Sequence, residues 1–360
     1  MTNRGSGWLR FVLPVVIACI IATGSIVVSC SSPSDGDPTD AADTNLVVED
    51  ALVLGTIVTL RVHAARDMDV LESQVRGIID EMEELGCRLS LYCESSETRR
   101  VNQAAGDTVE ISEEFGRLLG YGLEVAERSG GVFDPTVGPL VEIWGFYSGD
   151  HRVPSEAEIE GAMDLVDWSR VDLDGESLSF DPGMRLDLEA LMKGYVADFA
   201  LERFEELGVS GALIIAGPSS IGALGTAPGG RPWRIGLEHP RNTGSIYGAL
   251  DLHDGEHVST SGDYQRYFID DEGIRRSHII NARTGRPADS GIMAVTVVSD
   301  SSLGADGVST AAMPMSPEDA IAFIDEWGDG GLEGLVVTTD GRILYTDRMR
   351  ERVEMVDGGL

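Results

Sequence analysis

Leu186-Asp187-Leu188-Glu189-Ala190-Leu191-Met192-Lys193-Gly194-Tyr195-Val196-Ala197-Asp198 holds the only lysine in a chain of 360 residues. From Ala190 to Leu207 the sequence has the composition of a long helix, and Gly208 is a residue suited to ending one. Every other fixed positive charge is an arginine. A general preference for arginine explains why lysine is scarce, but not why one survives. An ammonium is a compact point charge that can meet a phosphate where a planar guanidinium does not fit. The bland reading of Lys193 is a solvated helix face. The functional reading is a contact to an anion.

Upstream of this helix, Leu52 to His63 alternates apolar and polar residues and predicts a strand. Asp67 to Leu85 has helical spacing, and a second helix follows Ser112, a plausible N-cap, to about Arg128. Ser155 to Met163 reads as a short helix capped by Ser155. Downstream, the apolar runs 212–216, 233–237, 257–259 and 294–298 predict strands separated by Gly and Pro turns. Helices are expected at 305–313 and 317–326, and a closing hairpin turns at Asp340-Gly341. Strands and helices do not alternate regularly, so the fold class is α+β rather than a doubly wound sheet. No dinucleotide fingerprint and no P-loop occurs.

The formal charge is −34. Such a surface repels nucleic acid and anionic lipid, so any bound anion requires a local positive site or a metal. Arg4 and Arg10 precede a nearly continuous apolar run from Phe11 to Val28, which ends at Ser29-Cys30. A lone membrane anchor is the simplest reading. A small residue before a cysteine, followed by a tether rich in Ser, Asp and Pro, looks instead like a bacterial lipobox. On that reading residues 1–29 are a signal peptide, Cys30 carries lipid and residues 30–46 are a disordered tether. The remaining chain, 47–350, is long enough for one large domain or two small ones, and on this reading it is held on a membrane in the cell envelope. Cys87 and Cys93 are either a disulfide or two buried thiols, and no zinc spacing exists.

Four segments hold polar residues in glycine-rich or apolar surroundings: Gly131 to Leu140 followed by Trp144-Gly145-Phe146, the Lys193 run, Ser259 to Tyr264 leading to Ser277 to Asn281 and Thr284-Gly285, and Gly304 to Thr310. Asp306 and Thr310 are four apart and share a helix face. A carboxylate and a hydroxyl are hard oxygen ligands that suit magnesium. Taken alone, Asp306 is better read as a helix cap. His278, neutral near pH 7, is a candidate proton acceptor, although a histidine beside an apolar pair is more often structural.

Together these segments resemble the ApbE family, the FAD:protein FMN transferases. The order matches as well as the content. Gly55-Thr56, Ser90 to Tyr92 with Ser96-Glu97 and Asn102, Gly131 to Leu140, Asp187 to Asp198, Thr260 to Tyr264, His278 to Ile280 and Ala305 to Thr310 follow in register. The likeness runs from about residue 50 to residue 345. It implies an α+β fold that binds FAD in a cleft, with magnesium at the pyrophosphate. By position, Asp306, Thr310 and the Ala190 carbonyl hold the metal, assisted by Ser309. Tyr92, Val132, Phe133, Asp134, Asp187, Lys193 and Ile279 contact FAD. The implied reaction moves FMN to a threonine of an acceptor flavoprotein, such as an ion-pumping NADH:quinone or Rnf-type oxidoreductase subunit, and releases AMP. His278 is the expected base and Asp263 its weaker rival.

The chain departs from the family pattern at Gly217-Pro218-Ser219, where proline removes a backbone donor. It departs again at Asn281-Ala282, at Glu189 and at Leu54. Two alternatives share the same site: an FAD pyrophosphatase that uses water, and an FAD-binding lipoprotein without activity.

Overall fold

The computed structural model describes residues 45–356 apart from 243 and 329. Eight strands form one sheet: β1 (Asn45–Val53), β2 (Thr56–Ala64), β3 (Gly211–Ala216), β4 (Ser220–Gly225), β5 (His257–Gly262), β6 (Ile292–Ser299), β7 (Glu333–Thr338) and β8 (Ile343–Tyr345). Their order in the sheet is their order in the chain, and every neighbouring pair is antiparallel. Both faces are covered along the middle of the sheet, so β3 is buried at every position and shows no alternation. Ala212, Ile214 and Ala216 pack toward the helices. Leu213 and Ile215 pack against a ribbon formed by Trp233–Glu238 and Ile246–Leu252.

The helical layer contains α1 (Met68–Leu89), α2 (Glu113–Arg128), α3 (Glu189–Glu206), α4 (Ser302–Ala312) and α5 (Pro317–Asp325). Ser112 caps α2 by accepting from the Phe115 amide at 3.2 Å. Ser155 and Glu158 form a reciprocal capping box on the helix Glu156–Met163. The expected α+β class holds: an eight-stranded antiparallel sheet carries the helices α1 to α5 on one face and the ribbon on the other.

Three expectations are revised. The alternating run from Leu52 to His63 is not one strand but the end of β1, a turn and most of β2. Leu54 and Gly55 both take positive φ, 54° and 69°, as a two-residue hairpin turn requires. β1 begins at Asn45, within the stretch read as tether, and the last strand ends at Met355, past residue 350. Asp306 does not cap its own helix. Ser301 does, accepting from the Gly304 amide at 2.9 Å, while Asp198 accepts from the Ser302 and Leu303 amides at 2.6 and 2.9 Å. With the orphan amides of the first turn engaged by these two residues, Asp306 lies one turn inside α4. The leader 1–29, Cys30 and the tether to residue 44 lie outside the described residues.

The crossing of α3 over α4 positions the site. A Cβ on Gly194 would lie 2.4 Å from the Ser302 carbonyl oxygen, so only glycine permits this approach. The close contact brings Lys193 and Asp306 to the same wall of a cavity.

Candidate active site

The cavity has a volume of about 1190 Å³, enough for a dinucleotide-sized ligand. Its walls come from the turn after α1, the Gly131–Leu140 block, the start of α3, the β3–β4 turn, β5, the His278–Ile280 segment and α4.

Asp306 is 1% exposed. Its Oδ1 accepts from the hydroxyls of Ser220 and Ser259 at 3.1 and 3.0 Å, and its Oδ2 accepts from the Gly194 amide at 3.1 Å. Helix geometry assigns that amide to the Ala190 carbonyl, so Asp306 competes with Ala190 for its usual partner. Lys193 Nζ lies 3.8 Å from Asp306 Oδ2. Thr310 is one turn further along α4, and its hydroxyl lies 3.1 Å from that of Ser261. Ala190, Lys193, Ser261, Asp306 and Thr310 all line the cavity. Ser309 does not: it is fully buried behind the wall, bonded to Ser261 at 2.9 Å and to the Asp306 carbonyl at 3.2 Å. Its placement is that of a support for Ser261 rather than a direct ligand.

These groups suit a magnesium ion. Among the described residues no three His, Cys, Asp or Glu side chains gather as a metal cluster, so the donor set is one carboxylate with hydroxyl and carbonyl oxygens. Magnesium takes few protein ligands of this hard kind and completes its shell with water and phosphate oxygens. Burying the Asp306 carboxylate with only a loosely placed ammonium nearby leaves its charge incompletely balanced, which a bound cation would correct.

The residues that the resemblance assigns to flavin contact divide into two groups. Tyr92, Val132, Phe133, Lys193 and Ile279 line the cavity. Asp134 and Asp187 also border it, but their oxygens serve the scaffold. Asp134 accepts from the Thr136 amide and hydroxyl at 2.8 and 2.6 Å and from the Trp168 amide at 3.0 Å. Asp187 accepts from the Tyr147 hydroxyl at 2.6 Å and the Glu189 amide at 2.9 Å. Desolvation raises the pKa of both carboxyls, and these hydrogen bonds oppose the rise.

His278 faces the cavity. Its Nδ1 lies 2.9 Å from the Arg266 carbonyl, which can only accept, so Nδ1 carries the proton and Nε2 offers a lone pair. Burial and the Arg266 charge push its pKa down to about 3, and the ring is neutral at pH 7. Asp263 is placed differently. Arg241 engages both of its oxygens at 2.7 Å, and it does not line the cavity. A carboxylate held in this way has no free oxygen aimed at a substrate.

The sequence reading missed Arg266, Tyr147, Ser220 and Ser261 as parts of the site. Ser261 lay within a segment already singled out, whereas Ser220 carried no signal of its own. Glu189, noted only as a departure, lines the cavity, and burial and the Asp187 charge raise its pKa to about 7. Pro218 stands in the cavity wall, so that departure does touch the site. Asn281 does not: its side chain accepts from the Arg283 amide at 3.0 Å and shapes a turn. Cys87 and Cys93 form a disulfide, and both line the cavity.

Comparison with known proteins bears on this geometry. A protein named FAD:protein FMN transferase from Rhodobacter capsulatus is 34% identical over 328 residues; the match covers 87% of this chain and 59% of that longer protein. A Klebsiella pneumoniae protein of the same name is 30% identical, with 88% of this chain and 97% of the relative covered. The ApbE protein of Thermotoga maritima superposes with a TM-score of 0.78 at 30% identity, covering 86% of this chain and 99% of that one. The flavinyl transferase ApbE of Pseudomonas stutzeri gives a TM-score of 0.74 at 30% identity over 86% of this chain and 97% of its own. The model of the ApbE family matches residues 54–336, which include every cavity segment except the residues of β1, and the chain therefore belongs to the ApbE family.

Proposed function

We propose that the chain, an FAD:protein FMN transferase by its family, uses magnesium to pass FMN from FAD to a threonine hydroxyl of an acceptor flavoprotein and releases AMP. The observation that carries this reading is the meeting of Lys193 and buried Asp306 in a dinucleotide-sized cavity of a chain with charge −34. An anion as charged as a pyrophosphate is repelled by most of this surface and attracted here.

Asp306, Thr310 and the Ala190 carbonyl would hold the magnesium ion. When bound, the ion supplies Lewis-acid stabilisation of charge on the phosphate oxygens. Lys193 contributes a second positive charge and orients the pyrophosphate. The threonine oxygen forms a bond to the phosphorus on the FMN side, the bond from that phosphorus to the AMP oxygen breaks, and AMP leaves with the electron pair. The threonine proton passes to Nε2 of His278. A ring with a pKa near 3 is a weak base, so positioning and charge stabilisation carry most of the rate.

The same reading places the protein on the outer side of a membrane, through lipid on Cys30. The apolar run ending at Ser29-Cys30 and the Cys87–Cys93 disulfide support this, because disulfides persist in oxidising compartments. The acceptors implied by the family resemblance are subunits of ion-pumping NADH:quinone or Rnf-type oxidoreductases.

The test is incubation with FAD and magnesium, with and without an acceptor flavoprotein domain bearing the threonine. Flavin fluorescence in a denaturing gel and AMP by chromatography are the readouts. A fluorescent acceptor band that disappears with EDTA is expected. AMP and free FMN formed equally fast without acceptor would replace the transferase reading with a pyrophosphatase. FAD bound without any product would identify a flavin-binding lipoprotein.

A further inference from the structure

The Cys87–Cys93 disulfide sits in the wall of the flavin cavity, together with Ser90 and Tyr92 of the segment it closes. Cys87 lies in the last turn of α1 and is exposed, while Cys93 is half-buried, so a reductant can reach the bond. The closed segment is also tied to α3. Glu189 Oε1 accepts from the Ser90 hydroxyl at 2.8 Å and from the Leu91 amide at 2.6 Å. The Ser90 hydroxyl in turn accepts from the Tyr92 amide at 3.2 Å. Glu189 is one helical turn before Lys193, on the same face of α3.

One short loop is therefore fixed at two points, covalently to α1 and by hydrogen bonds to the helix that carries the lysine. Between these points stands Tyr92, 53% exposed and facing the cavity. A ring this exposed has little packing of its own, and the backbone of the loop holds it in place. A loop pre-ordered in its ligand-binding form spares the ordering cost at the moment of binding.

We propose that the Cys87–Cys93 disulfide is a redox-sensitive latch on the FAD cavity: the oxidised protein binds FAD tightly, and the reduced protein binds it weakly. The inference rests on the flavin reading of the cavity and goes beyond it. A dithiol reductant breaks the sulfur–sulfur bond, gives two cysteine thiols and is itself oxidised to a cyclic disulfide. The segment from Ser90 to Cys93 then keeps the Glu189 contacts, the hydrogen bond from the Ser90 amide to the Gly86 carbonyl and that from the Ser96 amide to the Cys93 carbonyl, but it loses its covalent tie to α1, and Tyr92 is held less firmly. Flavin capture thereby responds to the redox state of the protein's surroundings.

The experiment compares FAD binding, by flavin fluorescence quenching, to the oxidised protein and to protein reduced with dithiothreitol and desalted anaerobically. Far-UV circular dichroism is recorded for both, and the Cys87→Ser/Cys93→Ser double variant is titrated in parallel. Reduction is expected to raise the FAD dissociation constant by about threefold to tenfold, the effect of freeing one or two side chains. The double variant is expected to match the reduced protein and to ignore dithiothreitol. Equal affinity of the oxidised and reduced forms would overturn the latch and leave the flavin reading standing. A reductant effect of the same size in the double variant would also overturn the latch, as would loss of the far-UV signal on reduction, which would make the disulfide a folding constraint. Absence of FAD binding in both forms would overturn the flavin reading and the latch with it.

Discussion

The amide of Gly194 donates to Asp306 Oδ2 at 3.1 Å, across the crossing of α3 and α4. Two helices more than 100 residues apart in sequence are thereby joined through the carboxylate oxygen that Lys193 also approaches. Replacing Gly194 with alanine puts a methyl group 2.4 Å from the Ser302 carbonyl oxygen, and backbone cannot yield as a flexible side chain can. The variant is expected to lose about 1–3 kcal/mol of stability, the usual cost of overpacking. It should also need more magnesium for half-maximal turnover, because Asp306 moves with α4. Thermal melting and a magnesium titration check this. An unchanged melting temperature would mean that the crossing has slack.

Asp306→Asn keeps the shape of the side chain and removes its charge. The serine donors of β4 and β5 still find an oxygen, but the Gly194 amide then faces the asparagine NH2 and loses its acceptor, so the fold is expected to survive with about 1–3 kcal/mol less stability. Turnover should fall at least about 100-fold, since even the outer partners of metal ligands cost up to that much when removed. The residual rate should no longer respond to EDTA. A variant that stays magnesium-dependent with near-normal turnover would place the cation elsewhere.

The parts of the site legible in the sequence are those written in local spacing. Asp306 and Thr310 share a face because they are four apart on a helix, and Lys193 stood out as the only lysine. Ser112 and Ser155 announced helix starts because capping is a matter of a few neighbouring residues. What escaped depends on distant partners. The donors around Asp306 come from α3, β4 and β5, and no local pattern links Ser220 to residue 306. The Leu54-Gly55 turn was hidden because hairpin turns usually recruit Asn, Asp or Gly at the first position, and leucine there continues the apolar alternation. Asn281 stood out as a departure from the family pattern, but its place is in a turn. Conversely, Asp263 looked chemically able, but Arg241 already holds it.

Lys193→Ala should separate the phosphate end of FAD from its flavin end. A hydrogen bond to a charged group contributes about 1.5–3 kcal/mol, so FAD affinity is expected to fall roughly 10- to 150-fold. Riboflavin lacks the phosphates and should bind both proteins nearly alike. Fluorescence titration of the two ligands measures the ratio directly. Equal losses for both would show that Lys193 shapes the cavity without meeting the pyrophosphate.

Glu189 gives the site a pH dependence whose sign can be worked out. Burial, and then the Asp187 charge, raise its pKa from 4.5 to about 7. A carboxyl raised on folding favours the protonated protein, so its contribution to stability is full below about pH 4.5 and is lost as pH rises through 7. The same proton matters for the ligand. The FAD pyrophosphate keeps its charge between pH 6 and 8, while Glu189 passes from neutral to anionic beside it. FAD binding should therefore weaken over this interval by about tenfold, equivalent to a shift of one pKa unit in the complex. Glu189→Gln keeps the hydrogen bonds from Ser90 and Leu91 to an amide oxygen and removes the titration. The variant is expected to bind FAD with an affinity flat from pH 6 to 8 and close to that of the wild type at pH 6. A wild-type affinity equally flat across that range would mean that Lys193 offsets the Glu189 charge, and that the carboxylate serves only to hold the loop.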